Sequence, residues 1–97
     1  GGTWVTKTTT YTALSGDKIF ANTTGGAFTI TLPAAPATGD EVRIVDLAST
    51  FDTNNLTIGR NSLKINGATA DLTVATEDAA FSLVYSGATY GWKLTEK

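Results

Sequence analysis

Histidine, cysteine and methionine are all absent from the 97 residues. Without cysteine, no disulfide can brace the fold. Without histidine or cysteine, the usual ligands of zinc, haem and iron–sulfur clusters are missing, and no cofactor is expected. The missing histidine also removes the common base that would activate a serine or threonine nucleophile. Charge is scarce: Asp, Glu, Lys and Arg make up 16% of the chain, where about a quarter is usual. The basic residues Lys7, Lys18, Arg43, Arg60, Lys64, Lys93 and Lys97 stand singly, and the formal net charge is −2. A nucleic-acid backbone is therefore not expected as a partner, because phosphate binding needs clustered Lys and Arg. No apolar run approaches the ~20 residues of a membrane-spanning helix, so no membrane insertion is expected. Proline occurs only twice, at Pro33 and Pro36.

What is present is alternation with a period of two. Phe28, Ile30 and Leu32 share one face, and Thr29 and Thr31 share the other. Val42 and Ile44 point one way, Arg43 and Val45 the other. Short alternating runs recur at Trp4 to Lys7, Lys18 to Ala21, Leu56 to Ile58, Leu63 to Ile65, Leu72 to Val74, Phe81 to Tyr85 and Trp92 to Leu94. Between them lie Ser15-Gly16-Asp17, Thr24-Gly25-Gly26, Thr53-Asn54-Asn55, Asn66-Gly67 and Ser86-Gly87-Ala88-Thr89. β-Branched Thr, Val and Ile suit a pleated surface. Asn66-Gly67 suits the positive φ angles of a type I′ hairpin turn. Pro33 ends the strand before it, and Pro36 keeps Ala35 extended, which opposes a helix there. Ala75 to Ala80 reads as a linker between strands.

The expected fold is all-β: a single domain over residues 1–97, a compact antiparallel β-sandwich, β-roll or barrel of about eight or nine short strands, with no substantial helix. The expected core is Phe28, Ile30, Leu32, Val42, Ile44, Leu56, Ile58, Ile65, Leu72, Val74, Phe81, Leu83, Tyr85 and Leu94. Fully burying one of the larger of these contributes roughly 1.5–3 kcal/mol. A chain this short buries only roughly 60–65% of its unfolded surface. Packing against copies of itself would enlarge a thin core, and a surface rich in small uncharged residues suits that. Gly1-Gly2, with no Met at the start, fits a cloning scar on an excised domain.

Several segments invite a chemical reading. Asp52-Thr53-Asn54-Asn55 resembles the start of a calcium loop, but an EF-hand needs Gly at its sixth position and Glu at its twelfth. Those positions hold Thr57 and Leu63, so turn chemistry is the better reading. The carboxylate pairs Asp40-Glu41 and Glu77-Asp78 are neighbours in sequence, whereas glycosidic cleavage needs two carboxyl groups facing across a cleft. Ser62-Leu63-Lys64 matches no nucleophile motif. Asn22-Thr23-Thr24 and Asn55-Leu56-Thr57 fit the glycosylation acceptor pattern, which is irrelevant in a bacterial host. No catalytic residue and no metal site is assigned, and the chain is not expected to be an enzyme. Ring faces can stack on the CH-rich side of a pyranose, and Tyr90-Gly91-Trp92 is the best local candidate, giving Tyr90 and Trp92 as expected glycan contacts. The alternative is that Trp92 packs on the sheet, where its N–H would need a partner.

An ordered set of segments carries a resemblance. Tyr11-Thr12-Ala13-Leu14-Ser15-Gly16-Asp17 comes first, then Asn22-Thr23-Thr24-Gly25-Gly26-Ala27-Phe28-Thr29-Ile30-Thr31-Leu32-Pro33. Pro36-Ala37-Thr38-Gly39-Asp40-Glu41-Val42 follows, with Asn54-Asn55-Leu56-Thr57-Ile58-Gly59-Arg60-Asn61, Ile65-Asn66-Gly67, Phe81-Ser82-Leu83-Val84-Tyr85 and Trp92. Together, from about Trp4 to Leu94, the chain resembles the small β-domains of tail fibres and related virion appendages of tailed bacteriophages. The resemblance implies a non-enzymatic, homotrimeric structural domain in a virion. Residues 1–10 would connect it to a preceding fibre segment. Its partners would be its own copies, other virion proteins and, at a fibre tip, a host-surface glycan. The other readings are a monomeric carbohydrate-binding module and a small polysaccharide hydrolase domain.

Overall fold

The computed structural model describes residues 3–95. Nine strands follow one another: β1 (Trp4–Lys7), β2 (Tyr11–Thr12), β3 (Lys18–Ala21), β4 (Phe28–Thr31), β5 (Glu41–Asp46), β6 (Leu56–Gly59), β7 (Leu72–Val74), β8 (Ala80–Tyr85) and β9 (Trp92–Leu94). The described residues contain no helix. The strands form two sheets, a five-stranded sheet ordered β1-β3-β5-β8-β9 and a four-stranded sheet ordered β2-β4-β6-β7.

The sheets are mixed, which corrects the expectation of an antiparallel sandwich, roll or barrel. From β1 to β6 the chain alternates between the sheets. Each return lays the new strand parallel to its predecessor, so β1, β3 and β5 are parallel in one sheet and β2, β4 and β6 in the other. Two-residue hairpins make antiparallel neighbours, but a chain that crosses to the opposite sheet comes back in the same direction. Antiparallel pairing begins only where the chain stops alternating, at β6 with β7, β5 with β8 and β8 with β9. Alternation along a strand reports which side chains point inward; it is the same for both pairings.

One buried cluster joins the two sheets. Ile19, Ala21, Val42, Ile44, Phe81, Leu83, Tyr85 and Trp92 come from the larger sheet; Ile30, Leu56, Ile58 and Val74 come from the smaller. Three expected core residues, Phe28, Leu72 and Leu94, lie at its margin and are half-buried. Phe51 is fully buried although it lies in a turn. Asp46 is buried as well, and its carboxylate organises that corner. Its oxygens accept the backbone N–H groups of Thr50 (3.1 Å), Phe51 (3.1 Å) and Asp78 (3.0 Å), tying the 47–51 turn and the 76–79 linker to the end of β5. A buried carboxylate is stable only with such partners. Thr23 and Thr50 share a hydrogen bond of 2.7 Å beside it.

The turn reading holds at Asn66-Gly67, with φ of 50° and 78° and reciprocal backbone hydrogen bonds between Ile65 and Ala68. The expected strand Leu63 to Ile65 does not form. Asn61 and Ser62 take positive φ, and only Ile65 makes isolated bridges, to Ala68 and Trp92. Residues 4–7 are the edge strand of the larger sheet, bonded along their length to β3, so this part of the expected connector belongs to the fold. Gly1-Gly2 lies outside the described residues.

Candidate functional site

The two residues expected to contact a glycan have opposite environments. Tyr90 is 63% exposed, whereas Trp92 is 0% exposed. The Trp92 ring therefore offers no face to a ligand, and Trp92 is withdrawn as a contact residue. It packs against Tyr85 with ring centroids 5.3 Å apart and a 58° tilt, a geometry that aromatic pairs prefer. Its indole N–H has no hydrogen-bond partner. Period two accounts for the division: Trp92 is paired with the inward-facing Tyr85, while Tyr90 precedes the strand in a turn beside Gly67. The Lys64 ammonium donates to the Thr89 carbonyl at 3.4 Å next to it.

The carboxylates are occupied with turns. Asp40 Oδ2 accepts the Ala37 N–H (2.9 Å) and the Ser15 hydroxyl (2.8 Å). The Ala37 N–H first, and then Ser15, holds the Asp40 carboxyl below the usual range. Asp78 accepts a short hydrogen bond from the Ser49 hydroxyl. Asn54 donates to the Thr23 carbonyl at 2.9 Å, so the Asp52–Asn55 segment serves as a turn. Asp17 Oδ2 accepts from the Tyr11 hydroxyl at 2.6 Å and from the Leu14 N–H at 2.9 Å. That hydrogen bond, with burial and the Asp17 charge adding to it, pushes the Tyr11 pKa up to about 12. Lys7 Nζ lies 4.1 Å from the centre of the Tyr11 ring, a cation–π contact.

A second aromatic group lies on the outer face of the five-stranded sheet, and sequence reasoning missed it. The Trp4 and Phe20 rings stack with centroids 4.4 Å apart and 14° between planes. Trp4 keeps 38% of its surface exposed. The register places Trp4, Lys18, Arg43 and Ser82 in one row across β1, β3, β5 and β8, with Thr6, Phe20, Val45 and Ala80 in the next. Arg43 donates to the Ser82 hydroxyl at 2.9 Å. Gly16, Asp17, Lys18, Glu41 and Arg43 line a cavity of about 230 Å³ at the end of this row. An apolar cleft of about 220 Å³ lies elsewhere, beside β7, walled by Leu72, Val74, Phe81 and Leu94. Both are smaller than the ~300–1,000 Å³ of a typical small-molecule pocket, which favours contact along an open surface. The signal for the pair was available in part: Trp4 and Phe20 occupy the outward positions of two runs already read as strands, and only the parallel register that brings them together was hidden.

A scan against models of known protein families finds no match, and a search of the curated proteins finds no similar sequence.

Proposed function

We propose that this chain is a non-enzymatic structural domain of a tailed-phage fibre or related virion appendage, that it assembles as a homotrimer, and that it contributes to attachment at a host-surface glycan. The observation that carries the reading is the topology. Strands β1 to β6 wind in successive parallel turns, and the first turn leaves β1 and β2 as edges of the two sheets. Edge strands present unpaired backbone groups and in isolated proteins are commonly covered or charged. Here β1 carries an exposed tryptophan, an arrangement suited to a module packed against more protein. The ordered likeness to fibre domains and the low charge point the same way. The test is light scattering of the chain at micromolar concentration. A mass three times the 10.1 kDa of one chain is expected, and a purely monomeric species overturns the reading.

The second reading is a monomeric carbohydrate-binding module, favoured by the exposed ring of Tyr90. Specific glycan binding by a monomer, abolished by Tyr90→Ala, would establish it.

A further inference from the structure

We propose that the outer face of the five-stranded sheet is a binding site for an acidic saccharide, with a sugar ring on Trp4 and its carboxylate directed to the cationic row formed by Lys18 and Arg43. This inference rests on the glycan-attachment part of the proposed function and names the site and ligand class for it.

Three observations carry the proposal. The first is the aromatic platform. Trp4 is stacked on Phe20, which fixes the orientation of a ring that still exposes more than a third of its surface. A preoriented ring costs a ligand little ordering entropy, and its face suits the CH-rich side of a pyranose. The second is register. Trp4, Lys18 and Arg43 are successive partners on β1, β3 and β5, and neighbouring strands lie roughly 4.8 Å apart. The aromatic ring and both cations therefore fall within the span of one or two sugar units. Ser82, fourth in the row, holds the Arg43 guanidinium in place. The third is charge. The outward positions of β3, β5 and β9 include Lys18, Arg43 and Lys93 against one carboxylate, Glu41, in a chain whose net charge is −2. Positive charge is thus gathered on the face that carries the platform, and it complements an anionic ligand. The cavity between Lys18, Arg43, Asp17 and Glu41 adds carboxylate acceptors for sugar hydroxyls at the end of the row.

The test uses the full chain and a panel of oligosaccharides: oligogalacturonate and oligosialate as acidic probes, and cello- and malto-oligosaccharides as neutral ones. Acidic probes are expected to bind and the neutral ones at least tenfold more weakly. Trp4→Ala and Lys18→Glu should each reduce the affinity tenfold or more, and Tyr90→Ala should leave it unchanged. Because Trp4→Ala can loosen β1, Lys18→Glu provides a variant that leaves the stack intact, and circular dichroism verifies the fold of each. Binding that survives both Trp4→Ala and Lys18→Glu but is lost with Tyr90→Ala overturns this site and leaves glycan attachment standing. Binding of neutral probes alone overturns the ligand class. No binding to any probe overturns the site together with glycan attachment, while the trimeric mass remains a separate measure of the structural role.

Discussion

At Gly91 the backbone passes so close to Lys64 that a Cβ would lie 2.0 Å from the Lys64 carbonyl oxygen. That oxygen accepts the N–H of Trp92 at 2.8 Å, so it cannot retreat without releasing β9. Gly91 also has φ of +71°, a conformation that costs other residues about 1–2 kcal/mol. Gly91→Ala is expected to lose at least about 3 kcal/mol, a large share of a typical ~5–15 kcal/mol margin. Gly67→Ala is the comparison: φ is similar at +78°, but the nearest neighbour of its Cβ is Tyr90 at 3.8 Å. It should lose only about 1–2 kcal/mol. Urea unfolding measures both, and equal midpoints for the two variants would refute the close-approach account.

Asp46 is the acceptor for three backbone N–H groups in a buried corner. Asp46→Asn replaces one accepting oxygen with a donor that faces those N–H groups. A loss of about 1–3 kcal/mol is expected, and more for Asp46→Ala, which leaves all three groups without an acceptor. Asp52→Asn, on the exposed surface, should stay within about 0.5 kcal/mol of the parent. Thermal unfolding of the set decides, and an Asp46→Asn protein as stable as Asp52→Asn would show that the carboxylate does not hold the corner.

The Tyr11 pKa of about 12 lies above the ordinary value of 10.0. The folded state therefore holds the phenolic proton more tightly than the unfolded chain does. The resulting stability is complete below pH 10 and is lost as the pH rises towards 12. Stability should fall across that window, and Tyr11→Phe should flatten the fall. Phenolate absorbance during alkaline titration should show one tyrosine ionising late in the parent and not in the variant. A Tyr11→Phe curve parallel to the parent's between pH 10 and 12 would contradict the Tyr11–Asp17 link.

Much of the fold was legible in the sequence because inward and outward positions alternate. Ile30, Val42, Ile44, Ile58 and Leu83 were assigned to the core on that basis, and all are fully buried. Asn66-Gly67 announced its turn because few other residue pairs accept positive φ in succession. Partner choice was not legible. Nothing in Lys18-Ile19-Phe20-Ala21 states that it lies parallel between β1 and β5, so the stacking of Trp4 on Phe20 could not be read. Phe51 escaped because it is buried by a turn folding over the sheet edge, outside any alternating run. Trp92 was placed on the wrong side of the choice between ligand contact and core, although the alternation of Trp92-Lys93-Leu94 already offered one inward and one outward face. Tyr11–Thr12 is too short to carry a periodic signal.

The alternation of the chain between sheets also constrains how the protein reaches its native state. Lys18 meets Arg43 and Phe28 meets Leu56, partners more than twenty positions apart, and few of the ladders can be closed by a tight local turn. Loop-closure entropy must be met before these pairings stabilise one another, which places such a topology among slow folders on the millisecond-to-second scale. During synthesis β3 must wait for β5, and β5 for β8, to gain their second neighbours. The open edges that suit β1 and β2 to assembly are thus accompanied by a period in which other strand edges are exposed as well, and the low charge of the chain gives those edges little electrostatic protection against pairing with the wrong partner.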